Sequence, residues 1–112
     1  MLSSGDVVSL DLGVPVGSEA GLTRPAVVVT AQRVLTSGPT VIAVVPLTTT
    51  LRGYASEVTI HGDDVNGLAV DSAAQCQHIR AVAARRVDAV TGNIGPMALG
   101  QVRQTLAVLL DI

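Results

Sequence analysis

Lysine, phenylalanine and tryptophan are absent from this 112-residue sequence, which has one cysteine and one tyrosine. Without lysine there is no Gly-x-x-x-x-Gly-Lys phosphate loop, and no Gly-x-Gly-x-x-Gly fingerprint opens a helix, so nucleotide cofactors have no support. A lone cysteine, Cys76, cannot close an internal disulfide, which argues for a reducing compartment. Charge is scarce as well: 14% of residues are charged and the net charge is -2, so no bulk electrostatic footprint advertises a nucleic-acid partner. The longest near-apolar run, 41–47, is far too short to cross a bilayer, and the first residues have neither a basic nor an apolar signal region. The expectation is a cytoplasmic protein with no membrane partner.

What is abundant is branched aliphatic. Hydrophobic residues make up 48% of the chain and nineteen residues are valine, enough apolar material for one domain over 1–112 with a real core. Valine is stiff at χ1 and fits a pleated surface, so the fold should be rich in sheet. All seven basic residues are arginine, whose planar fork suits bidentate phosphate contacts at a few points.

Alternation predicts a first strand over 6–12, with Val8, Leu10 and Leu12 on one face. Residues 13–23 carry glycines and a proline without a period and read as a surface loop. A second strand is expected over 24–30, its continuous apolar run implying burial on both faces, with Pro25 tolerated near the start. Turn residues follow within 31–39, then a third strand over 40–47 that ends in Thr48-Thr49-Thr50. Further short strands are predicted over 56–60, 68–72, 75–83 and 86–91, with a turn-rich connection over 61–67. Beyond Pro96, well placed to open a helix, the period changes, and Leu99, Val102, Leu106, Leu109 and Leu110 share one helical face. The pattern implies a small twisted or barrel-like antiparallel sheet closed by one amphipathic helix.

Three constellations bear on chemistry. Cys76 and His78 lie two apart on a predicted strand and would share a face, yet no orienting group is nearby and a buried structural cysteine is the plainer reading. Cys76, His61 and His78 form no zinc-ligand spacing, so no metal is expected. Arg24 stands at a strand start and Thr48 at a strand end; if the two strands are antiparallel neighbours, guanidinium and hydroxyl meet at one rim, where a phosphate could sit. Plainer readings are a surface arginine paired with Glu19 or Asp11, and threonines present for strand propensity and turn formation. Arg52, Arg80, Arg85 and Arg86 are candidates for further phosphate contacts.

An ordered series of fragments resembles the MazF/PemK (Kid) toxin family: Gly5-Asp6-Val7-Val8, Gly17-Ser18-Glu19, Arg24-Pro25-Ala26-Val27-Val28-Val29 and Val45-Pro46-Leu47-Thr48-Thr49-Thr50. Asn66-Gly67-Leu68, Asp71-Ser72 and Gln77-His78-Ile79-Arg80 continue it in order. The resemblance implies an SH3-like barrel with a C-terminal helix, acting as a homodimer and as the ribonuclease of a toxin–antitoxin pair. It implies cleavage of single-stranded RNA without a metal or cofactor, with Arg24 and Thr48 as the catalytic pair and Glu19 in a supporting role. Ser18, Thr49, Arg52, Gln77, Arg80, Arg85 and Arg86 become RNA-binding candidates. The cognate antitoxin would occupy the dimer groove with a disordered acidic segment, competing with RNA for the same arginines.

Departures from the family pattern are visible. Ser9 stands where many relatives have an aromatic, Ser18 falls on the Kid-type loop histidine, and Ser72 and Ala74 fall on Kid-type Arg and Asp positions. With Tyr54 as the one aromatic, base reading must rest on hydrogen bonds and arginine planes. The rival is a CcdB-like gyrase poison of the same architecture, but such a protein uses a terminal Trp-Gly-Ile where this chain has Leu110-Asp111-Ile112. A peptide-binding SH3 module would need an aromatic groove.

Overall fold

The computed structural model describes residues 1–11 and 23–112. Along them run β1 (Asp6–Asp11), β2 (Thr23–Val28), α1 (Gln32–Leu35), β3 (Val41–Thr48), β4 (Glu57–Ile60), β5 (Ser72–Gln75), β6 (Arg80–Ala83), β7 (Val87–Asn93) and α2 (Gly95–Leu110), with 3-10 turns at Cys76–His78 and Ala84–Arg86. The strands form one antiparallel sheet in the order β4-β5-β3-β2-β1-β7, with β6 also paired to β3. Strand β3 organises it. One edge of β3 pairs with β2 through Val44, Val45 and Pro46, while the other pairs with β6 over 41–44 and with β5 at Leu47 and Thr48. This is the mainly-β architecture with a C-terminal helix that the sequence implies.

Both faces of the central strands are buried, as the continuous valine runs require. Val7, Val27, Val45 and Leu47 join Ile60, Ala74, Cys76, Val102 and Leu106 in a core beneath α2. Their neighbours Val8, Ala26, Val28 and Val44 point the other way, to a second core with Leu10, Leu35, Ile42 and Val82. Side chains alternate across a strand, so consecutive valines serve different cores. Removing a fully buried valine from water contributes roughly 1.5–2 kcal/mol.

Asn93 joins the sheet to the helix. Its Nδ2 donates to the Ser4 carbonyl (3.1 Å) and to Asp6 Oδ1 (3.0 Å), and its Oδ1 accepts from the Gly95 N–H (2.8 Å). The first free N–H groups of α2 are thereby partly satisfied. Pro96 lies in the first turn as predicted.

Several predicted elements differ. Residues 31–39 contain the short helix α1, packed through Leu35, and Thr23 opens β2 instead of closing a loop. Leu12, the expected last residue of the first strand, and the predicted loop before Thr23 lie outside the described residues. The predicted strand over 68–72 is irregular up to Asp71, and β5 begins at Ser72. The predicted strand over 75–83 is split by the turn at Cys76–His78. On α2, Leu99, Val102 and Leu106 are buried, but Leu109 and Leu110, in its last turn, are 44% and 50% exposed.

Candidate active site

The site is built by the β2–β3 pairing. Ala26 sits opposite Pro46 in antiparallel register. The β2–β3 ladder ends at this pair, with Arg24 two residues before Ala26 and Thr48 two residues after Pro46. Both line a cleft of about 500 Å³ that also receives Leu10, Gln75, His78 and Arg80. Its apolar floor comes from Ala26, Val44 and Leu47, all buried members of the sheet, so the polar groups stand on a rigid base.

The electrostatics follow from what lines it. Two guanidinium groups and an imidazole face the cleft, and no carboxylate belongs to its described lining. A chain of net charge -2 thus concentrates positive charge at one concave place, an environment that suits an anionic group. Thr48 Oγ1 accepts a hydrogen bond from the Thr50 N–H at 3.2 Å. This local turn is the one expected of consecutive threonines, and it leaves the hydroxyl proton free to be donated to a phosphate oxygen.

Behind the cleft lies a charged group that sequence reasoning missed. Glu57, on β4, is directly across from Gln75 on β5, and its side chain is only 2% exposed. One oxygen, Oε2, accepts from Arg52 Nη2 (2.7 Å), Gln77 Nε2 (2.7 Å) and Gln75 Nε2 (3.3 Å). The Gln77 hydrogen bond above all holds the Glu57 carboxyl below its ordinary range, outweighing the opposing effect of burial, with Arg52 and Gln75 adding to it. Glu57 Oε1 and Gln77 Oε1 are buried with no partner among the described residues. Arg52 also lies over the Tyr54 ring, 4.7 Å from its centre.

The remaining candidates divide. Arg80 lines the cleft at the start of β6. Gln77 turns its amide inward onto Glu57, and its neighbour Gln75 faces the cleft instead. Arg52 is committed to Glu57 and Tyr54, with 38% of its side chain exposed. Thr49 is exposed just beyond the rim. Arg85 and Arg86 are exposed on the turn before β7, where Arg86 Nη1 donates to the Asp11 carbonyl at 3.3 Å and Arg85 lines a separate hollow with Pro39 and Ala83. Ser18 and Glu19 lie outside the described residues.

Cys76 and His78 do not form a pair on one strand face. The 3-10 turn between them buries Cys76 completely and leaves His78 exposed at the cleft. Burial pushes the Cys76 thiol up, away from the reactive thiolate. Among the described residues, no three His, Cys, Asp or Glu side chains gather as a metal would require. No described helix is long and apolar enough to cross a membrane.

Comparison with known proteins bears on the family and the fold. A family model described as the PemK-like, MazF-like toxin of type II toxin–antitoxin systems matches residues 3–110. Endoribonuclease MazF9 of Mycobacterium tuberculosis is 34% identical over 117 residues, covering 100% of this chain and 98% of that protein. Among solved structures, MazE-MazF from Deinococcus radiodurans superposes with a TM-score of 0.81 at 24% identity, over 99% of this chain and 96% of that one. An endoribonuclease in complex with its cognate antitoxin from a mycobacterial species gives 0.77 at 20% identity, over 100% and 97%.

Proposed function

We propose, for a chain that belongs to the PemK-like, MazF-like toxin family of type II toxin–antitoxin systems, that it is a metal-independent endoribonuclease whose catalytic pair is Arg24 and Thr48. The observation that carries this reading is that Arg24, at the start of β2, and Thr48, at the end of β3, line one cleft free of described carboxylates.

The reaction is attack of a ribose 2′-hydroxyl on the adjacent phosphorus. The 2′-O–P bond forms, the P–O5′ bond breaks, and the 2′-hydroxyl proton is lost as one is gained by the leaving oxygen. The products are a 2′,3′-cyclic phosphate and a 5′-hydroxyl. Negative charge grows on the non-bridging oxygens, and Arg24 stabilises it from a preorganised position while Thr48 donates a hydrogen bond. Arg24 stays protonated throughout, so its contribution is charge and not base catalysis. Arg80 neutralises a neighbouring phosphate. Glu19 and Ser18 are retained as supporting residues on the family resemblance, and Thr49, Arg85 and Arg86 as outer RNA contacts. DNA lacks the nucleophile and should not be cut.

The working unit is a homodimer in the cytoplasm, silenced by a cognate antitoxin whose acidic segment lies in the arginine-lined groove. A gyrase-poison reading is not favoured, since the relatives in sequence and in fold are MazF proteins. The deciding experiment is incubation of purified protein with long single-stranded RNA in EDTA, with both product ends mapped. Cyclic phosphate and 5′-hydroxyl ends are expected from the wild type, with strong loss in Arg24→Ala and Thr48→Val. Cleavage that survives both substitutions overturns the assignment.

A further inference from the structure

Cleavage takes a proton from the ribose 2′-hydroxyl, and neither member of the catalytic pair can receive it. A guanidinium keeps its proton at any ordinary pH, and a threonine hydroxyl forms hydrogen bonds without acting as a base. The other polar side chains among the described lining are Gln75, His78 and Arg80, and of these residue types only an imidazole takes up and releases a proton near neutrality. His78 closes the 3-10 turn between β5 and β6. That turn is fixed through its backbone: the Cys76 N–H donates to the Ser56 carbonyl at 3.1 Å, and the Ile79 N–H to the Cys76 carbonyl at 3.2 Å. Cys76 is buried in the core, whereas His78 is exposed at the cleft, and no hydrogen bond or ion pair with a described residue engages its ring. A rigid turn therefore carries an uncommitted imidazole.

We propose that His78 is the general base of the cleavage, taking the 2′-hydroxyl proton while Arg24 and Thr48 hold the phosphate. The assignment rests on the ribonuclease reading and supplies the proton acceptor that reading lacks. Strand β3 pairs with β2 along one edge and with β5 and β6 along the other, so Arg24 and His78 stand on opposite flanks of β3, with Thr48 at its end. An in-line displacement calls for such a division. Charge is stabilised at the non-bridging oxygens, around the equator of the phosphorus, while the base approaches the attacking oxygen at one apex. Glu57, on β4 behind the turn, is no rival base: its side chain is 2% exposed and Oε2 already accepts from Arg52, Gln77 and Gln75. In the step itself a neutral ring nitrogen accepts the 2′-hydroxyl proton as the 2′-O–P bond forms. The P–O5′ bond breaks with its electron pair on O5′, which takes a proton from solvent water. The imidazolium then gives its proton to the hydroxide so formed, and the cycle closes without net gain or loss.

The test uses the full chain as wild type, His78→Ala, His78→Asn and Arg24→Ala, with single-stranded RNA in EDTA. Both His78 variants should lose about a hundredfold in kcat, the lower end of what a positioned base contributes, with KM changed by less than about twofold and the melting temperature kept, since the residue is exposed. His78→Asn retains a donor and an acceptor but cannot take up a proton, so activity near wild type in that variant would assign the residue to hydrogen bonding alone and overturn the proposal. Added imidazole should restore cleavage by His78→Ala in proportion to its unprotonated fraction, more strongly for more basic imidazoles, and should leave Arg24→Ala inactive. A deficit that no imidazole relieves overturns it too. A substrate with sulfur in place of the leaving 5′-oxygen separates the two ends of the reaction, because a thiolate departs without being protonated. The His78→Ala deficit should persist on that substrate; its disappearance would make His78 the acid at the leaving group and refute the base assignment. If His78→Ala cuts RNA as well as wild type while Arg24→Ala does not, the base assignment falls and the ribonuclease reading stands. If wild type leaves RNA whole, both fall.

Discussion

Two polar regions of the molecule differ in what their side chains are bonded to. In the segment joining β4 to β5, His61 Nδ1 and Asp71 Oδ2 are 3.0 Å apart, the geometry of a catalytic dyad. Yet nearly every polar atom there holds backbone. Asp71 Oδ1 accepts from the Gly62 N–H, and Asp63 Oδ1 accepts from the N–H groups of Val65 and Asn66. Asn66, 2% exposed, accepts from Asp63 and Leu68 N–H and donates to the His61 carbonyl. The loop also lies tightly on β7, where a Cβ on Gly67 or Gly92 would collide with the facing backbone. Around the cleft the polar groups have the opposite disposition: Arg24 and Arg80, on strands whose backbone is paired in the ladder, and His78, on the 3-10 turn, are exposed around a concavity. A site is recognised by polar groups the fold does not consume.

Substitutions at the two regions should separate activity from stability. Arg24→Ala should produce the largest effect, a loss of about 10²–10³-fold in RNA cleavage, equivalent to roughly 3–4 kcal/mol of transition-state stabilisation. Its melting temperature should stay near wild type, because Arg24 is exposed and surface changes rarely exceed about 0.5 kcal/mol. Asn66→Ala should reverse the pattern. Three hydrogen bonds to buried or part-buried backbone disappear, for a cost of about 2–3 kcal/mol in denaturant unfolding, while the cleavage rate per folded molecule is kept. A large rate loss in Asn66→Ala would mean that the loop belongs to the site and would erase the contrast.

The cleft itself was legible because it depends on two strands close in sequence. Arg24 before a valine run and Thr48 after one need only an antiparallel hairpin-like pairing to meet, and the runs announce the strands. The Glu57 network was not legible. It depends on β4 meeting β5 across an eleven-residue connection, 61–71, whose polar residues give no period, and on Gln75 closing β5 where the sequence pattern has it opening the strand expected over 75–83. One 3-10 turn is enough to defeat the alternation that joins Cys76 to His78, and the Gln77 amide bonds Glu57 while Gln75 lines the cleft. Leu109 shows a different limit: helical period marks a face, but not how far along it burial extends.

Cys76 offers a smaller test on the scaffold side of the same contrast. Its thiol packs in the core with Ile60, Ala74 and Val102, and Sγ contacts the Ala74 and Val102 carbonyls at 3.8 and 3.9 Å. Cys76→Ala removes one buried heavy atom and should cost about 1–2 kcal/mol in unfolding, with RNA cleavage untouched. Native protein should resist alkylation until denaturant is added, in keeping with a buried thiol whose ionisation is disfavoured. Rapid labelling of native protein would return Cys76 to the list of reactive groups.

The least effect should come from the pair that most resembles a dyad. His61 and Asp71 have side chains 82% and 47% exposed, so solvent and salt screen their attraction. The His61 hydrogen bond, then the Gly62 N–H, hold the Asp71 carboxyl below its ordinary 3.8. A carboxyl depressed in the folded state adds stability that is present above its unfolded pKa and is lost as pH falls through the lower folded value. Asp71→Asn keeps an oxygen for the Gly62 N–H and removes only the charge. Melting curves of wild type and Asp71→Asn should thus differ slightly at neutral pH, in favour of wild type, and converge as the pH is taken below 3.8. Cleavage by the variant should match wild type at every pH where both are folded; a selective loss of rate would move the functional centre to this loop.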